Sequence, residues 1–325
     1  MFCNDRNENI SFLTWNIYLG TDIGLLVDVQ QDALLERISE VFQLFLATNF
    51  QARAKAIAEE IASKRPDIIG LQEAVQCSLN IEPFGLVVFD FIDILLHELK
   101  RIGISYQVTA INENFLSPAL PDRYGNLIQL QDRDAILIRK DSKLKLIRKQ
   151  IDNFKTNLMI TVAGQLITIQ RGWSSIDVLS KGKVFRVVNT HLEPVDERVR
   201  IAQVRELLGT PANTSLPVVI LGDLNDIPKS VTLNLFNRAE FKDLWSEVGK
   251  GDGFTCCQAP DLLNPNSLLN QRVDYILFKN GWKALKANVV GEGQNDRTET
   301  GLWPSDHTGV FGGLSLKNHH HKSSH

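Results

Sequence analysis

The chain has 325 residues, of which 43% are hydrophobic and 22% are charged, and its net charge at pH 7 is −3. These fractions are typical of a globular protein with a full hydrophobic core. Basic residues are not in excess over acidic ones, which argues against a protein that binds long nucleic-acid duplexes. The length permits two domains, but layered α/β folds often reach this size as one. We therefore expect one domain over residues 1–317.

The four cysteines include an adjacent pair, Cys256 and Cys257, and show no disulfide or zinc-binding spacing. They are interpreted as buried or idle thiols in a reducing compartment. The first ten residues lack an apolar signal core, which predicts a cytoplasmic location, or a secreted one if a signal has been removed. The apolar stretch 84–99 carries charged residues and predicts a buried amphipathic helix, so we expect no transmembrane segment. Residues 318–325 predict a flexible His-rich tail outside any site.

Helices and strands alternate in the two outer parts of the chain. Hydrophobic periodicity and Pro66 predict, in order, a strand over 10–17, helices around 34–45 and 54–61, and a strand over 67–71. Short strands dominate the middle, over 134–138, 157–162, 165–170 and 184–189, with a hairpin turn at 163–164. A helix over 196–208 follows, and then strands over 217–221, 273–278 and 308–316. The pattern predicts an α/β fold, a four-layered α/β/β/α sandwich of two packed mixed sheets flanked by helices.

Polar side chains follow several predicted strands at their carboxyl ends. These residues are Asn16, Glu73, His191, Asp223 and Asn225. If the strands share a direction, the polar groups meet at one rim, where ligand sites of open α/β sheets lie. Carboxylates, carboxamides and imidazoles together can bind a hard divalent cation and move protons around a phosphate.

Six short motifs carry a family resemblance. They occur at 14–16 (TWN), 70–73 (GLQE), 189–192 (NTHL), 222–225 (GDLN), 272–277 (RVDYIL) and 305–307 (SDH). In this order they resemble the motifs of the endonuclease/exonuclease/phosphatase superfamily of metal-dependent phosphoesterases. The resemblance covers roughly the whole chain. It implies hydrolysis of a phosphodiester by direct attack of water, with Mg²⁺ (or Mn²⁺) as the cofactor.

The resemblance also implies a metal site. Glu73 would be the principal carboxylate for the cation, with Asn16 and Asp306 helping directly or through water. An oxygen-only set of ligands suits Mg²⁺, which keeps several of its own waters.

The catalytic roles are implied in the same way. Asp223 would orient or deprotonate the attacking water, and Asn225 would hold a phosphate oxygen. His307, paired with Asp274, would stabilise the developing charge or act as the base, so the choice of base between Asp223 and His307 stays open. His191 would donate a proton or hydrogen bond to a phosphate oxygen or to the leaving group.

Two arginines are less specific. Arg171 ends a predicted strand just before the strand of His191, and it either binds a phosphate or forms a structural ion pair. Arg133, next to Asp134, is interpreted as structural.

Two substrate classes stay open, nucleic acid and a smaller phosphodiester or phospholipid. The chain has Asp226-Ile227-Pro228 after its Asp-Leu-Asn run. It therefore lacks the basic residue that inositol polyphosphate 5-phosphatases carry soon after that run. The alternatives are a phosphomonoesterase acting on a phosphorylated lipid or sugar, and a catalytically inactive binding protein on the same fold. No obligate protein partner is inferred.

Overall fold

The computed structural model describes residues 8–316. Its helices are α1 (Leu34–Ala47), α2 (Phe50–Lys64), α3 (Phe91–Arg101), α4 (Glu197–Gly209), α5 (Val231–Arg238) and α6 (Leu244–Val248). Its strands are β1 (Glu8–Asn16), β2 (Ile68–Gln72), β3 (Gln76–Ile81), β4 (Gly85–Asp90), β5 (Tyr106–Leu116), β6 (Leu120–Pro121), β7 (Leu127–Arg139), β8 (Lys145–Asn153), β9 (Leu158–Val162), β10 (Gln165–Ile169), β11 (Gly172–Ser180), β12 (Lys183–His191), β13 (Val218–Asp223), β14 (Lys242–Asp243), β15 (Asp274–Lys279), β16 (Trp282–Val290) and β17 (Gly309–Leu316). The predicted tail lies outside the described residues.

The strands form two large mixed sheets. The first has the order β16-β17-β1-β2-β7-β3-β4, with β5 and β6 also paired to β7. The second has the order β14-β15-β13-β12-β11-β8, and β9 and β10 form a separate two-stranded hairpin. Within the described residues, β1–β2 and β12–β13 run parallel, and the other ladders are antiparallel. Each large sheet therefore has one central parallel pair whose carboxyl ends point the same way.

Three buried clusters show how the layers pack. One cluster joins the facing surfaces of the two sheets, with Phe12 and Ile136 of the first beside Phe185 and Val219 of the second. A second cluster lies between the first sheet and helices α1 to α3. A third lies between the second sheet and helices α4 and α5. The predicted four-layered α/β/β/α sandwich is confirmed.

The hairpin turn expected at 163–164 is present between β9 and β10. Both turn residues have positive φ, 48° at Ala163 and 77° at Gly164. That combination is the backbone of the two-residue turns that match the twist of a hairpin, and glycine adopts it without steric cost.

The helix expected over the stretch 84–99 is wrong in its first half. Gly85–Asp90 is the edge strand β4, and α3 begins only at Phe91. The carboxylate of Asp90 caps this helix by accepting hydrogen bonds from the backbone N–H groups of Ile92 and Asp93. Hydrophobic content alone did not reveal this capping signal, which ends the strand and starts the helix. Within residues 8–316, no helix combines the length and the apolar content needed to cross a bilayer.

Two phenylalanines that the prediction placed in one helix, Phe84 and Phe89, have different environments in the structure. Phe84 is 87% exposed at the β3–β4 turn, whereas the Phe89 ring packs edge-on against Phe45 at 5.7 Å. We expect Phe89→Asp to lower the free energy of unfolding by about 2 kcal/mol, because it places a charge against the core. Phe84→Asp should change it by less than about 0.5 kcal/mol. Urea unfolding of both variants checks this, and equal losses would contradict the packing described here.

Candidate active site

The parallel strand pairs bring the predicted polar residues to one rim. Asn16 ends β1 beside Gln72 of β2, and Glu73 follows directly. His191 ends β12 opposite Asp223, the last residue of β13. The Asn16 side-chain amide donates to Asp223 Oδ2 at 3.1 Å and to Glu73 Oε1 at 3.2 Å. One amide therefore connects a carboxylate of the first sheet to a carboxylate of the second.

A close approach of the sheets beneath the rim makes this connection geometrically possible. The amide of Asn189 on β12 donates to the carbonyl of Leu71 at 3.0 Å and accepts from Gln72 at 2.7 Å. A Cβ on Gly70 would overlap the side-chain oxygen of Asn189. Glycine at this position of the GLQE motif lets the two sheets meet just below the site.

Glu73 is a partly buried carboxylate held in a fixed orientation. Its Oε2 accepts a hydrogen bond from the backbone N–H of Leu19 at 2.7 Å, and its own backbone has φ +55°. Burial raises the pKa of Glu73 to about 7, and the neighbouring charges of Asp306 and Asp132 add to the effect. A non-glycine residue with positive φ is costly and concentrates at functional sites.

Asp223, Asp274 and His307 form a compact buried group, with ligand atoms within 4.8 Å of one another. His307 Nδ1 lies 2.8 Å from Asp274 Oδ2 and 3.8 Å from Asp223 Oδ2. Burial lowers the pKa of His307, but the charges of Asp274, Asp306 and Asp223 outweigh this and hold it well above the usual value. For Asp223, burial and the charge of Asp274 raise the pKa to about 6. The imidazole is therefore a cation among carboxylates, with Nδ1–H directed to Asp274.

His191 differs in charge from His307. Burial, together with the positive charges of Arg171 and His307, lowers its pKa well below the usual value. Its Nε2 lies 3.4 Å from Asp223 Oδ2, and its buried Nδ1 has no hydrogen-bond partner. The neutral ring therefore has one nitrogen without a hydrogen-bond partner among the described residues.

Arg171 lies among the charged groups of the rim. Its Nε and Nη1 are buried without hydrogen-bond partners, and its charge acts on Asp132, Asp134 and His191. Donors buried without partners are costly unless a ligand completes them. This state favours the phosphate-binding alternative for Arg171 over a structural ion pair.

Asn225 and Asp306 lie at the edges of the same rim. Asn225 has φ +50°, its backbone N–H donates to Asp223 Oδ1 at 2.9 Å, and its side-chain amide donates to the carbonyl of Leu192 at 2.9 Å. Burial raises the pKa of Asp306, whose Oδ1 lies 3.4 Å from Ser305 Oγ. Ser305 Oγ also donates to the carbonyl of Asn16, which connects the SDH motif to β1.

Two further carboxylates at the rim, Asp132 and Asp134, were not predicted from the sequence. Burial raises the pKa of both Asp132 and Asp134, and Asn114 donates to Asp134 at 2.9 Å. Arg133 between them points away and pairs with Asp90 at 2.7 Å, as expected for a structural arginine. Alternation of side chains along a strand places residues two apart on one face. That rule, applied to the Asp-Arg-Asp run, was the available signal.

Arg53 was also missed because it lies in a helix with no motif. It is fully buried, and its guanidinium donates to the carbonyls of Ile17, Tyr18, Thr48 and Pro304. Burial lowers its pKa to about 10. This side chain joins the segments that follow Asn16 and precede Asp306, so it positions both ends of the rim.

The interpretation of Cys256 and Cys257 as buried or idle thiols did not consider the two as a pair, and the structure brings their sulfur atoms together. A search for spaced cysteine pairs does not consider neighbours. Cys257 Sγ lies 3.8 Å from His307 Nε2, so the pair forms part of the wall around the histidine. Cys77 is a buried free thiol.

The donor groups suit a hard divalent cation. The rim concentrates carboxylates in a buried region, where Glu73, Asp223 and Asp306 have raised pKa values. Asp274 Oδ1 is buried without a hydrogen-bond partner. A cation among such groups would favour their ionised forms, and carboxylate oxygens are the ligands that Mg²⁺ and Mn²⁺ prefer.

A model of the Endonuclease/Exonuclease/phosphatase family matches residues 13–307, a span that contains the whole rim. The chain belongs to this family. No curated protein sequence matches it significantly. Its resemblance to individual family members therefore rests on structure.

Several solved structures share the fold. A protein of this family from Bacteroides thetaiotaomicron has a TM-score of 0.61 at 17% identity, covering 98% of this chain and 99% of that one. D. rerio TDP2, complexed with a single-strand DNA product, has a TM-score of 0.58 at 17% identity and covers 94% and 98%. A mannosyl-6-phosphatase from B. thetaiotaomicron has a TM-score of 0.57 at 16% identity and covers 94% and 99%. At these identities the likeness shows the shared fold.

Proposed function

We propose that the chain is a divalent-metal-dependent phosphodiesterase that hydrolyses its substrate by direct attack of water. The observation that carries the proposal is the amide of Asn16, which lies within hydrogen-bonding distance of both Glu73 and Asp223. The two carboxylates proposed to hold the metal and to orient the water therefore lie on either side of one amide group. Carboxylates with raised pKa values that cluster at one point are typical of functional sites, which supports the proposal.

Each residue has a proposed role. Glu73, with Asn16 and Asp306, would hold Mg²⁺ or Mn²⁺, which would supply charge neutralisation at the phosphate. Asp223 orients the attacking water, and Asn225 and His191 bind phosphate oxygens. His307 and Arg171 stabilise the negative charge that develops on the phosphate. Asp274 keeps His307 protonated and oriented, and Arg171 donates to a phosphate oxygen.

For the substrate we propose only a chemical class. The fold neighbours include TDP2 with a DNA product and a mannosyl-6-phosphatase, so both diester and monoester substrates occur on this fold. We favour a phosphodiester and keep the monoesterase as the second candidate. The test is hydrolysis of bis-p-nitrophenyl phosphate beside p-nitrophenyl phosphate with Mg²⁺, with Mn²⁺ and with EDTA. Diester cleavage that EDTA abolishes supports the proposal, and preference for the monoester would overturn it in favour of a phosphatase.

The raised pKa values of Glu73 and Asp223 predict how the folding stability of the metal-free protein depends on pH. The pKa values of Glu73 and Asp223 are raised to about 7 and about 6, so the folded state favours their protonated forms. That contribution is full below the pKa values of the unfolded chain and is lost as pH rises through 6 to 7. In EDTA, the Tm should therefore fall between pH 5.5 and 8, by a few degrees.

Differential scanning fluorimetry from pH 5.5 to 8.5 measures this effect. Mg²⁺ should raise the Tm more at pH 8 than at pH 6, because a cation binds the ionised carboxylates. Glu73→Gln serves as the matched control and should flatten the slope in EDTA. An identical slope in this variant would show that Glu73 is not the group that titrates.

A further inference from the structure

An apolar cavity of about 110 Å³ is lined by residues that do not belong to the candidate site. Its walls come from the 3-10 turn Ile23–Leu26, from α1, from strands β5 and β7, and from the β9–β10 hairpin. Phe42 and Phe45 form its floor, and Ile160 and Ile167 of the hairpin form the facing wall. None of these elements carries a residue of the six sequence motifs.

The cavity wall offers a ligand no free hydroxyl group. Its two hydroxyl side chains donate to backbone carbonyls of the protein, Thr21 to Val41 at 2.6 Å and Ser117 to Pro118 at 2.9 Å. Cavities without available polar partners stay dry and accept hydrocarbon. A sugar, a nucleobase edge or an anion would lose its hydrogen bonds to water here without replacement.

Three chain segments run directly from the cavity wall into the site. Thr21 is two residues from Leu19, whose N–H binds Glu73. Ile169 is two residues from Arg171. Two residues of extended chain span at most about 7 Å, so the cavity wall begins within one substrate length of the candidate phosphate-binding groups. Cys77, four residues after Glu73, completes this side of the wall.

The cavity is also held in shape and open to solvent. The hairpin is fastened across it by two backbone hydrogen bonds, from Asp28 N–H to the Thr161 carbonyl at 2.8 Å and from Ala163 N–H to the Val29 carbonyl at 3.1 Å. Ile23 of the wall is 36% exposed, and Leu25 on the same 3-10 turn is 40% exposed. A ligand can therefore enter from solvent across an apolar surface.

We propose that this cavity receives an aliphatic chain of the substrate, so that the enzyme acts on an amphiphilic phosphodiester whose hydrocarbon part lies beside the scissile phosphate. The inference rests on the proposed phosphodiesterase function and narrows its substrate class. The volume of this cavity is somewhat below the ~150 Å³ of an engineered cavity that binds benzene. It therefore suits an aliphatic segment of roughly four carbons. Longer chains would continue over the exposed apolar turn.

The test compares methyl, butyl and hexyl p-nitrophenyl phosphate, three diesters with the same leaving group. Burial of one methylene changes binding by about fourfold, so the three extra methylenes of butyl should raise kcat/KM by up to about sixtyfold over methyl, and the rise should be less steep afterwards. Ile167→Trp fills the cavity from the partly exposed hairpin and should bring the butyl-to-methyl ratio close to one. Thr168→Trp, an exposed neighbour on the same strand, is the matched control and should keep the wild-type ratio.

A binding measurement separates this inference from the proposed function. Calorimetric titration with methylphosphonate and butylphosphonate should show tighter binding of butylphosphonate with a negative heat-capacity change, because apolar surface is buried. Cleavage of all three diesters at equal rates, with equal binding of both phosphonates, overturns the cavity assignment and leaves the phosphodiesterase standing. Chain-dependent binding without any cleavage supports the cavity and overturns the proposed function instead. A ratio unchanged by Ile167→Trp also overturns the assignment.

Discussion

Replacing Asp223 by Asn should lower kcat for a phosphodiester by about 10²–10³-fold, the usual cost of removing one group that acts on the reacting atoms. The asparagine keeps the shape of the side chain and removes the charge that faces His191 and His307 and that is proposed to orient water. Stability should be unchanged or higher near pH 8, because burial and Asp274 already disfavour the ionised carboxylate. Loss of activity with a retained Tm is the expected result.

Asp226→Asn is the control for this variant. It lies three residues further on, makes the same chemical change, and pairs with Arg200 at 3.4 Å. Its activity should stay close to that of the unmodified protein. Full activity in the Asp223 variant, measured with saturating Mg²⁺ and with Mn²⁺, would remove Asp223 from the proposed machinery.

Replacing His307 by Gln should lower kcat by a similar factor of about 10²–10³. The imidazole is the positively charged group at the centre of the buried carboxylates, and glutamine retains a hydrogen-bond donor without the charge. Steady-state kinetics on bis-p-nitrophenyl phosphate would measure the loss. A rise in KM with unchanged kcat would mean that His307 serves binding rather than the chemical step.

Asp274→Asn tests the same pair from the other side, because Asp274 acts through the imidazole at 2.8 Å. It removes one of the charges that raise the pKa of His307, so that pKa should fall. The basic limb of the pH–rate profile should therefore move to lower pH, with a smaller loss of kcat at the optimum. A profile that keeps its shape would assign Asp274 a purely structural role.

Much of the candidate site could be predicted because its residues follow apolar strands. Buried strands such as β13, which begins with four hydrophobic residues at 218–221, are nearly continuous in hydrophobic residues, and a polar side chain directly after such a run is conspicuous. The parallel pairing of β12 with β13 then brings His191 beside Asp223, as the shared rim required. Local pattern and long-range topology agree at these positions.

The remaining features depend on contacts that no local pattern encodes. Arg53 acquires its role because α2 lies against the segments after Asn16 and before Asp306. The apolar cavity exists because backbone hydrogen bonds, which carry no side-chain signature, join the β9–β10 hairpin to the residues that follow the 3-10 turn. The stretch 84–99 was misassigned because its hydrophobicity suits a strand as well as a helix, and only the cap at Asp90 distinguishes them.

The strand order of the first sheet has a consequence for synthesis of the protein. β1 lies between β2 and β17, so an early strand waits for a late one before its second edge is paired. The same late segment brings Asp306 and His307 to the rim. On the ribosome, where domains form as the chain emerges, the second sheet can assemble while β1 still has an open edge. The candidate site can therefore be completed only after the segment that carries Asp306 and His307 has been synthesised.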